Sequence, residues 1–472
     1  MGWIRTVQNQ KLSLFQSAID DWILSRRANS GEASETEGRP HLGHPMVLAA
    51  TVLSELLHGG KPVPQEPPPE VSNNLGASGG GVWSAARLLG ELFLAKLHGN
   101  TDRVKHLEDD LKGSSVDPGF LECFEKYLAY FGPDGKLKDV PYIRHTRDDD
   151  FVLETLPPNA TVALIGDWAT GTEDAERLLR QVARQKPDMI FHLGDVYYSG
   201  TEREVGDHVL EVCNQVLGKD QGRIALYNLS GNHDMYSGGV PYYDLIKKLN
   251  PSPLSKPEQA QPASYFSVRN KAWQFLSMDT GLHDRDPFEV ADAVTYLEPD
   301  EAEWHLDKIN RFYDYGGRTI LLSHHQLFSA FSAIGKAGQK PPGQEAFNPK
   351  LLVTFGDVLQ QDKVAAWFWG HEHNLCIYEP YPPLNKGRCA GHSAIPVFTS
   401  PDPYAILPAV PNPPRLVSDA QTGAPVKLGV DPHGVYYHGY VLIRLNDANK
   451  TADVFYYQEN DEENPIYYEQ LP

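Results

Sequence analysis

Five short polar clusters, each directly after an apolar run, constrain this chain more than any other feature of its sequence. The runs contain β-branched and aromatic residues and are bounded by glycine or polar residues, which is typical of buried strands. In chain order, the runs and their clusters are Thr161–Ile165 with Gly166–Trp168, Met189–Leu193 with Gly194–Tyr198, Ile224–Leu229 with Gly231–Asp234, Thr319–Leu322 with Ser323–His325, and Val364–Trp369 with Gly370–His373. Polar side chains just beyond the carboxyl ends of neighbouring strands converge, and open α/β sheets bind their ligands at that edge.

The converging side chains have the chemistry of metal ligands. Carboxylate, phenol, amide and imidazole groups suit Zn, Fe and Mn. The set is too large for one catalytic ion that keeps an open position, so it favours two ions that share a carboxylate. Such a pair activates water and clamps both oxygens of an in-line phosphoryl displacement. Any single cluster would be explained equally well as a polar turn, and it is the five together, in this order, that favour a metal site.

The order of these residues resembles the calcineurin-like metallophosphoesterase superfamily, whose pattern is Asp, Gly-Asp, Gly-Asn-His-Asp/Glu, His and Gly-His-x-His. The resemblance covers about residues 161–378. Ala169 stands where most of the superfamily has a histidine, and Tyr198 lies three residues after the second aspartate. This combination is similar to the purple acid phosphatases, in which a tyrosine phenolate binds ferric iron. The resemblance implies an α/β fold, a two-sheet sandwich flanked by helices.

The resemblance also implies a ligand set for each ion. The ligands are Asp167, Tyr198 and His373 for the first ion, Asn232, His324 and His371 for the second, and Asp195 as the bridge. Neighbouring side chains of an extended segment point to opposite faces, so only one of Tyr197 and Tyr198 should reach the metal. The resemblance selects Tyr198. The expected ions are Fe(III) together with Fe, Zn or Mn.

Three further residues are expected to act in catalysis. In the superfamily, the histidine that corresponds to His233 contacts the transferred phosphoryl group, and an imidazole can assist the leaving group at neutral pH. Asp234 is expected to hydrogen-bond this imidazole and hold its tautomer. His325 is expected to face the substrate or to support the ligands, although a polar strand-end residue explains it equally well.

The composition excludes several classes of protein. A net charge of −20 argues against general nucleic-acid binding, because phosphate backbones need a basic surface. The 4 cysteines are few and irregularly spaced, so they predict no disulfide framework. No apolar run approaches the ~20 residues of a membrane span. Residues 1–6 lack the apolar core of a secretory signal, which favours a cytoplasmic protein, and they fit an N-myristoylation pattern whose use stays open.

The spacing of apolar residues predicts two regions. Helical periodicity predicts a separate helical module over residues 1–145, and alternating strands and helices predict a catalytic domain over 155–472, with a Pro-rich insertion at about 379–432. Tyr198 favours a phosphomonoesterase that acts on a small phosphorylated substrate. A phosphodiesterase acting on nucleotide or lipid-headgroup diesters stays open. The complete ligand set disfavours a non-catalytic scaffold, and the oligomeric state is not predicted.

Overall fold

The computed structural model describes residues 139–472, except 219–222, 251–259, 287–292, 336–339, 341–342, 398, 400–401 and 433, together with Lys126, Tyr130 and Phe131. The chain divides into two compact units, Met1–Phe124 and Glu125–Pro472. The predicted N-terminal helical module lies outside the described residues, apart from its last few positions. The second unit is described below.

The second unit alternates strands and helices in its first half and ends in three strands. Its elements are β1 Val152–Leu153, β2 Thr161–Ile165, α1 Glu173–Arg184, β3 Met189–His192, α2 Glu202–Glu204, a π-helical segment Val205–Leu210, α3 Glu211–Val216, β4 Ala225–Asn228, α4 Asn232–Met235, α5 Val240–Leu249, β5 Phe266–Arg269, β6 Trp273–Ser277, α6 Pro299–Asp314, β7 Arg318–Ser323, α7 Pro349–Gln360, β8 Val364–Trp369, β9 Leu375–Ile377, β10 Gly387–Ala390, β11 Gly439–Asn446, β12 Thr451–Gln458 and β13 Tyr467–Leu471. Among the described helices, none is long and apolar enough to cross a membrane.

These strands form two mixed sheets. One sheet has seven strands in the order β1-β5-β6-β7-β8-β10-β9, and the other has six in the order β13-β12-β11-β2-β3-β4. Strands β2, β3 and β4 are parallel, as are β6, β7 and β8. Strands β5 and β6 form an antiparallel pair, and β11 is antiparallel to β12 on one side and to β2 on the other.

Both faces of the parallel strands in each sheet are buried, which explains why the sequences of these strands are continuously apolar. One core lies between the sheets and contains alternate residues of each strand, such as Leu164 in β2 and Leu322 in β7. The intervening residues face outward: Ile165 packs with α1 and α3, and Leu321 packs with α6 and α7. A strand covered on both sides loses the polar alternation of a half-exposed strand. The predicted two-sheet sandwich flanked by helices is confirmed.

Two predicted boundaries are corrected by the structure. The catalytic unit begins before the predicted residue 155, because β1 at Val152–Leu153 pairs with β5, and the hydroxyl of Tyr142, inside the predicted module, donates to Glu301 Oε2 at 2.6 Å. The Pro-rich segment 379–432 is not a simple insertion, because it contains β10, which pairs with β8 on one side and with β9 on the other. Strand β10 is only four residues long and lies among proline-containing stretches, so the composition of the segment does not indicate it.

A buried ion pair connects the two sheets. Arg388 in β10 is 1% exposed, and its Nε and Nη2 donate to the two carboxylate oxygens of Glu469 in β13 at 2.6 and 2.7 Å. Glu469 also accepts hydrogen bonds from Lys386 Nζ and the Tyr456 hydroxyl. Although burial opposes it, hydrogen bonding by Arg388 lowers the pKa of Glu469 to about 2. The carboxylate is therefore charged at neutral pH and neutralises a guanidinium that water does not reach.

We expect the Glu469→Gln variant to lose about 3–5 kcal/mol of unfolding free energy, because it leaves the Arg388 charge buried without a counterion. Denaturant unfolding monitored by circular dichroism measures this loss. The matched control is Glu462→Gln, which breaks an exposed pair with Arg184 and should cost at most about 1 kcal/mol. Equal losses in the two variants would contradict the role of the buried pair.

Two buried histidines away from the strand-end clusters predict acid sensitivity. Burial lowers the pKa of His305 and of His392 to about 3, from 6.5. The folded protein thus disfavours protonation of both histidines. The unfolding free energy is therefore not reduced by these residues above pH 6.5, and it decreases as the pH falls from 6.5 towards 3. We expect the midpoint temperature of thermal denaturation to decrease as the pH is lowered from about 7.5 to about 5. The decrease should be smaller in the His305→Phe variant. An identical fall in both proteins would contradict the contribution of His305.

Candidate metal centre

The clusters predicted from the sequence lie together at one edge of the sandwich. Asp167, Asp195 and Asn232 follow β2, β3 and β4 of the six-stranded sheet, whereas His324 and the turn 371–373 follow β7 and β8 of the seven-stranded sheet. The carboxyl ends of these parallel strands meet where the sheets face each other. The two sheets therefore contribute to the same group of side chains, as expected for this edge.

One ligand group contains an amide oxygen and two imidazole nitrogens. Asn232 Oδ1 lies 3.1 Å from His324 Nε2 and 3.1 Å from His371 Nδ1, and the two nitrogens are 3.2 Å apart. His324 Nδ1 donates to the Leu193 carbonyl at 2.9 Å, so Nε2 is the ring nitrogen that faces the group. Adjacent ligands bound to one ion at about 2.1 Å lie about 3 Å apart. The three atoms are thus spaced as the ligands of a single cation.

The second group is built on carboxylates. The Tyr197 hydroxyl lies 2.8 Å from Asp167 Oδ1, 3.1 Å from Asp195 Oδ2 and 2.9 Å from His373 Nε2, and His373 Nε2 lies 3.5 Å from Asp167 Oδ1. Asp195 Oδ2 is also 3.3 Å from His324 Nε2 of the first group. One oxygen of Asp195 therefore belongs to both groups, which is the arrangement expected of a bridging carboxylate.

The electrostatics of the groups match a cation site. Asp167 and Asp195 are at most 1% exposed, and although burial opposes it, neighbouring imidazoles lower the pKa of both carboxyls. Although burial opposes this too, the Asp195 charge raises the pKa of His324 to about 9. Burial and the neighbouring His325 hold the pKa of His371 well below its usual value. Charged carboxylates and a neutral imidazole such as that of His371 are donors that transition metals bind.

The backbone of the site adopts rarely populated conformations. Asp167, Asp195, His371 and His373 have φ values of 56, 75, 68 and 55°. Residues other than glycine seldom occupy this region, and they persist there only where the surroundings impose it. The adjoining turn is crowded as well, because a Cβ at Gly391 would lie 2.7 Å from Asp167 Oδ2. Each turn is held in the one conformation that aims its ligand at the group.

The choice between the two tyrosines is corrected by the structure. The hydroxyl among the carboxylates belongs to Tyr197, whereas the family resemblance selects Tyr198. Tyr198 contributes its backbone here: its N–H donates to Glu204 Oε1 at 2.5 Å, and its carbonyl accepts from His233 Nδ1 at 2.6 Å. Residues 197–199 form a turn and not an extended segment, so the alternation of side chains on which the prediction rested does not apply.

The predicted partner of His233 is also corrected. The Tyr198 carbonyl, not Asp234, accepts the hydrogen bond of its Nδ1, while His233 Nε2 lies 4.0 Å from Asp195 Oδ2. Asp234 Oδ2 instead accepts the backbone N–H groups of Asp195 and Gly231 at 2.9 and 2.8 Å. Asp234 is the third residue of α4, so its side chain reaches back to the helix start, as in a capping box. It holds two ligand turns together and does not orient the imidazole.

His325 is buried and hydrogen-bonded within the protein. Its Nε2 lies 2.9 Å from Asp284 Oδ2, and its Nδ1 lies 3.1 Å from Thr280 Oγ1. Its ring packs 4.4 Å from the ring of His371, and its nitrogens are near enough to those of His324 and His371 for all three to bind one ion. Because both nitrogens have protein partners, the structure favours the supporting role over the substrate-facing one.

Sequence reasoning missed His192, which lies under the site. Its Nε2 accepts the Trp168 N–H at 3.2 Å, and its Nδ1 is paired with Asn228 Oδ1. Burial lowers its pKa to about 4, so the ring is neutral and one nitrogen is free to accept. It thereby fixes the turn that carries Asp167. A histidine inside an apolar strand carries no signal of this role in a single sequence.

Three kinds of comparison relate this chain to known proteins. Residues 160–375 match the family model of the calcineurin-like phosphoesterases. A search of curated protein sequences gives no significant match. Similar solved structures include a dimetal phosphatase from Danio rerio, with 11% identity, a TM-score of 0.39, and coverage of 64% of this chain and 97% of that chain. Another is GAP50, the anchor in the inner membrane complex of Plasmodium, with 11% identity, a TM-score of 0.37, and coverage of 66% and 88%.

Proposed function

Because this chain belongs to the calcineurin-like metallophosphoesterase superfamily and is a metal-dependent phosphoester hydrolase, we propose that it is a phosphomonoesterase of purple acid phosphatase type. The observation that carries the proposal is the Tyr197 hydroxyl, which lies within 3.1 Å of two carboxylates and one imidazole. Ala169, where most of the superfamily has a histidine, is buried and offers no ligand atom. The phenol of Tyr197 takes the place of that imidazole.

Each ligand group binds one ion under this proposal. Asp167, Tyr197 and His373 would hold the first ion, a ferric ion, and Asn232, His324 and His371 would hold the second, Fe, Zn or Mn. Asp195 would contribute its carboxylate to both ions. Ions bound there would supply a hydroxide nucleophile at neutral pH and neutralise charge on the phosphoryl oxygens.

The residues around the ions hold the substrate and move a proton. The Nδ1–H group of His233 donates a hydrogen bond to the Tyr198 carbonyl. Nε2 is therefore the ring nitrogen on the Asp195 side of the site. The His233 ring is held by Tyr197 and Tyr236, whose ring centroids lie 4.6 and 4.7 Å from it. His233 Nε2 is thus placed to contact the phosphoryl group and to deliver a proton to the departing alkoxide.

The visible absorption spectrum, with metal analysis of the same sample, tests the proposal. We expect a broad band in the middle of the visible range and about two metals per chain, including iron. Tyr197→Phe should abolish the band, and Tyr198→Phe, a matched loss of one hydroxyl in the same turn, should keep it. A colourless protein with two Zn or Mn ions would overturn the ferric phenolate. A band lost only in Tyr198→Phe would restore the sequence-based choice.

Hydrolysis of paired substrates tests the preference for monoesters. We expect a higher kcat/KM for a mono-aryl phosphate than for the corresponding bis-aryl phosphate. A higher value for the bis-aryl compound would favour a phosphodiesterase and contradict the monoesterase assignment.

A further inference from the structure

Tyr236 contacts the amide of a ligand residue on the side turned away from the other ligands. Asn232 Nδ2 donates to the Tyr236 hydroxyl at 2.6 Å, while Asn232 Oδ1 lies 3.1 Å from both His324 Nε2 and His371 Nδ1. Both residues are at most 2% exposed, so water does not reach this amide. The tyrosine lies four residues after Asn232, immediately after the short helix α4, and this spacing brings the two side chains to the same face.

The orientation of this amide decides whether it can bind a cation. An asparagine side chain has an oxygen that accepts and a nitrogen that only donates, so the oxygen must face the ion. The nitrogen then carries two protons into a buried environment, and a buried donor without an acceptor is costly. The Tyr236 hydroxyl provides that acceptor. It thereby favours the orientation in which Oδ1 faces the two imidazole nitrogens.

Tyr236 also contacts the catalytic side of the site. Its ring centroid lies 4.7 Å from that of His233, the residue that follows Asn232. We infer that Tyr236 is a positioning residue whose hydroxyl orients the Asn232 amide for the second ion and whose ring supports His233. This inference rests on the two-ion site of the proposed function, but not on the ferric phenolate.

The Tyr236→Phe variant separates the two contacts, because it removes the hydroxyl and keeps the ring. We expect its affinity for the second ion to weaken by about 10–100-fold, the usual effect of losing a hydrogen bond to a ligand. Titration of the metal-free protein with Zn²⁺ or Mn²⁺, followed by competition with a chelator, measures this affinity directly. The matched control is Tyr242→Phe, which removes another buried hydroxyl, bonded to the Asn228 carbonyl at 2.9 Å, and should bind metal as the wild type does.

Repeating the Tyr236→Phe substitution in an Asn232→Asp variant tests whether Tyr236 acts through the amide. In Asn232→Asp, the carboxylate has no N–H that needs an acceptor, so adding Tyr236→Phe should weaken binding much less than it does with asparagine present. An equal weakening in the two backgrounds, or unchanged binding in Tyr236→Phe, would overturn the inference. Wild-type protein that binds fewer than two ions would instead contradict the two-ion site itself.

Discussion

Asp195→Asn is expected to remove both metal binding and activity. Asp195 Oδ2 lies 3.1 Å from the Tyr197 hydroxyl and 3.3 Å from His324 Nε2, so one oxygen serves both ligand groups. An amide at this position lacks the charge that offsets two cations, and it places a donor where an acceptor is needed. We expect fewer than two metals per chain and a fall in kcat/KM of roughly 10³-fold or more, since the ions stabilise transition-state charge by several kcal/mol.

The same substitution at the opposite end of the strands provides the control. Asp188 immediately precedes β3, is exposed, and accepts the Thr161 N–H at 2.8 Å. Asp188→Asn should keep both metals and the wild-type activity. Full metal content and turnover in Asp195→Asn would show that this carboxylate is not the bridge.

His233→Ala is expected to lower kcat by about two to four orders of magnitude, the usual contribution of a positioned proton donor or acceptor. The hydrogen bond described for the imidazole goes to the Tyr198 carbonyl and not to a proposed metal-ligand atom, and His233 Nε2 lies 4.0 Å from Asp195 Oδ2, beyond hydrogen-bond distance. Metal content should therefore remain at the wild-type level, and elemental analysis of the assayed sample checks this. The large loss with the metals retained separates His233 from the ligands.

The leaving group provides an internal test of this role. A nitrophenolate leaves without a proton, whereas an alkoxide needs one, so His233→Ala should slow an alkyl phosphate more than a nitrophenyl phosphate. The same loss for both esters would place His233 in phosphoryl binding alone. Unchanged turnover in the metal-replete variant would remove it from the mechanism.

The strands and the clusters that follow them could be predicted because their signal is local and repeated. An apolar run such as Val364–Trp369, followed by a glycine and polar residues, specifies both a buried strand and the edge at which it ends. The convergence of Asp167, Asp195 and His324 then follows from strand direction alone. For this reason the residues of the candidate ligand groups could be predicted from the sequence, whereas their detailed contacts could not.

The errors occurred where the conformation of a turn decides which side chain points inward. Tyr197 and Tyr198 are adjacent and chemically identical, and only the turn at 197–199 brings the first hydroxyl to the carboxylates. Asp234 is predicted to hold the His233 imidazole, as carboxylates commonly do, but the helical turn of α4 directs it to backbone N–H groups. Neither outcome leaves a trace in residue type or spacing.

Other features depend on contacts that are distant in sequence. Strand β10 lies in a Pro-rich segment and is only four residues long, so its place between β8 and β9 has no periodic signal. The partners of His192 and Arg388 likewise come from other strands. Such pairings are properties of the assembled sheets and not of any local stretch of sequence.

Because the candidate ligands are divided between the two sheets, metal binding should affect the stability of the sandwich. Asp167, Asp195 and Asn232 follow strands of one sheet, and His324, His371 and His373 follow strands of the other, so each ion bound under the proposed function would cross-link the two halves of the sandwich. Ligands separated in the unfolded chain bind an ion weakly, and at a free concentration of 100 times Kd an ion adds about 2.7 kcal/mol to the folded state. The midpoint temperature of thermal denaturation should therefore increase with the fraction of sites that hold a metal ion. Withdrawal of the ions should first loosen the rim where the sheets meet, which amide hydrogen exchange would register as faster opening there.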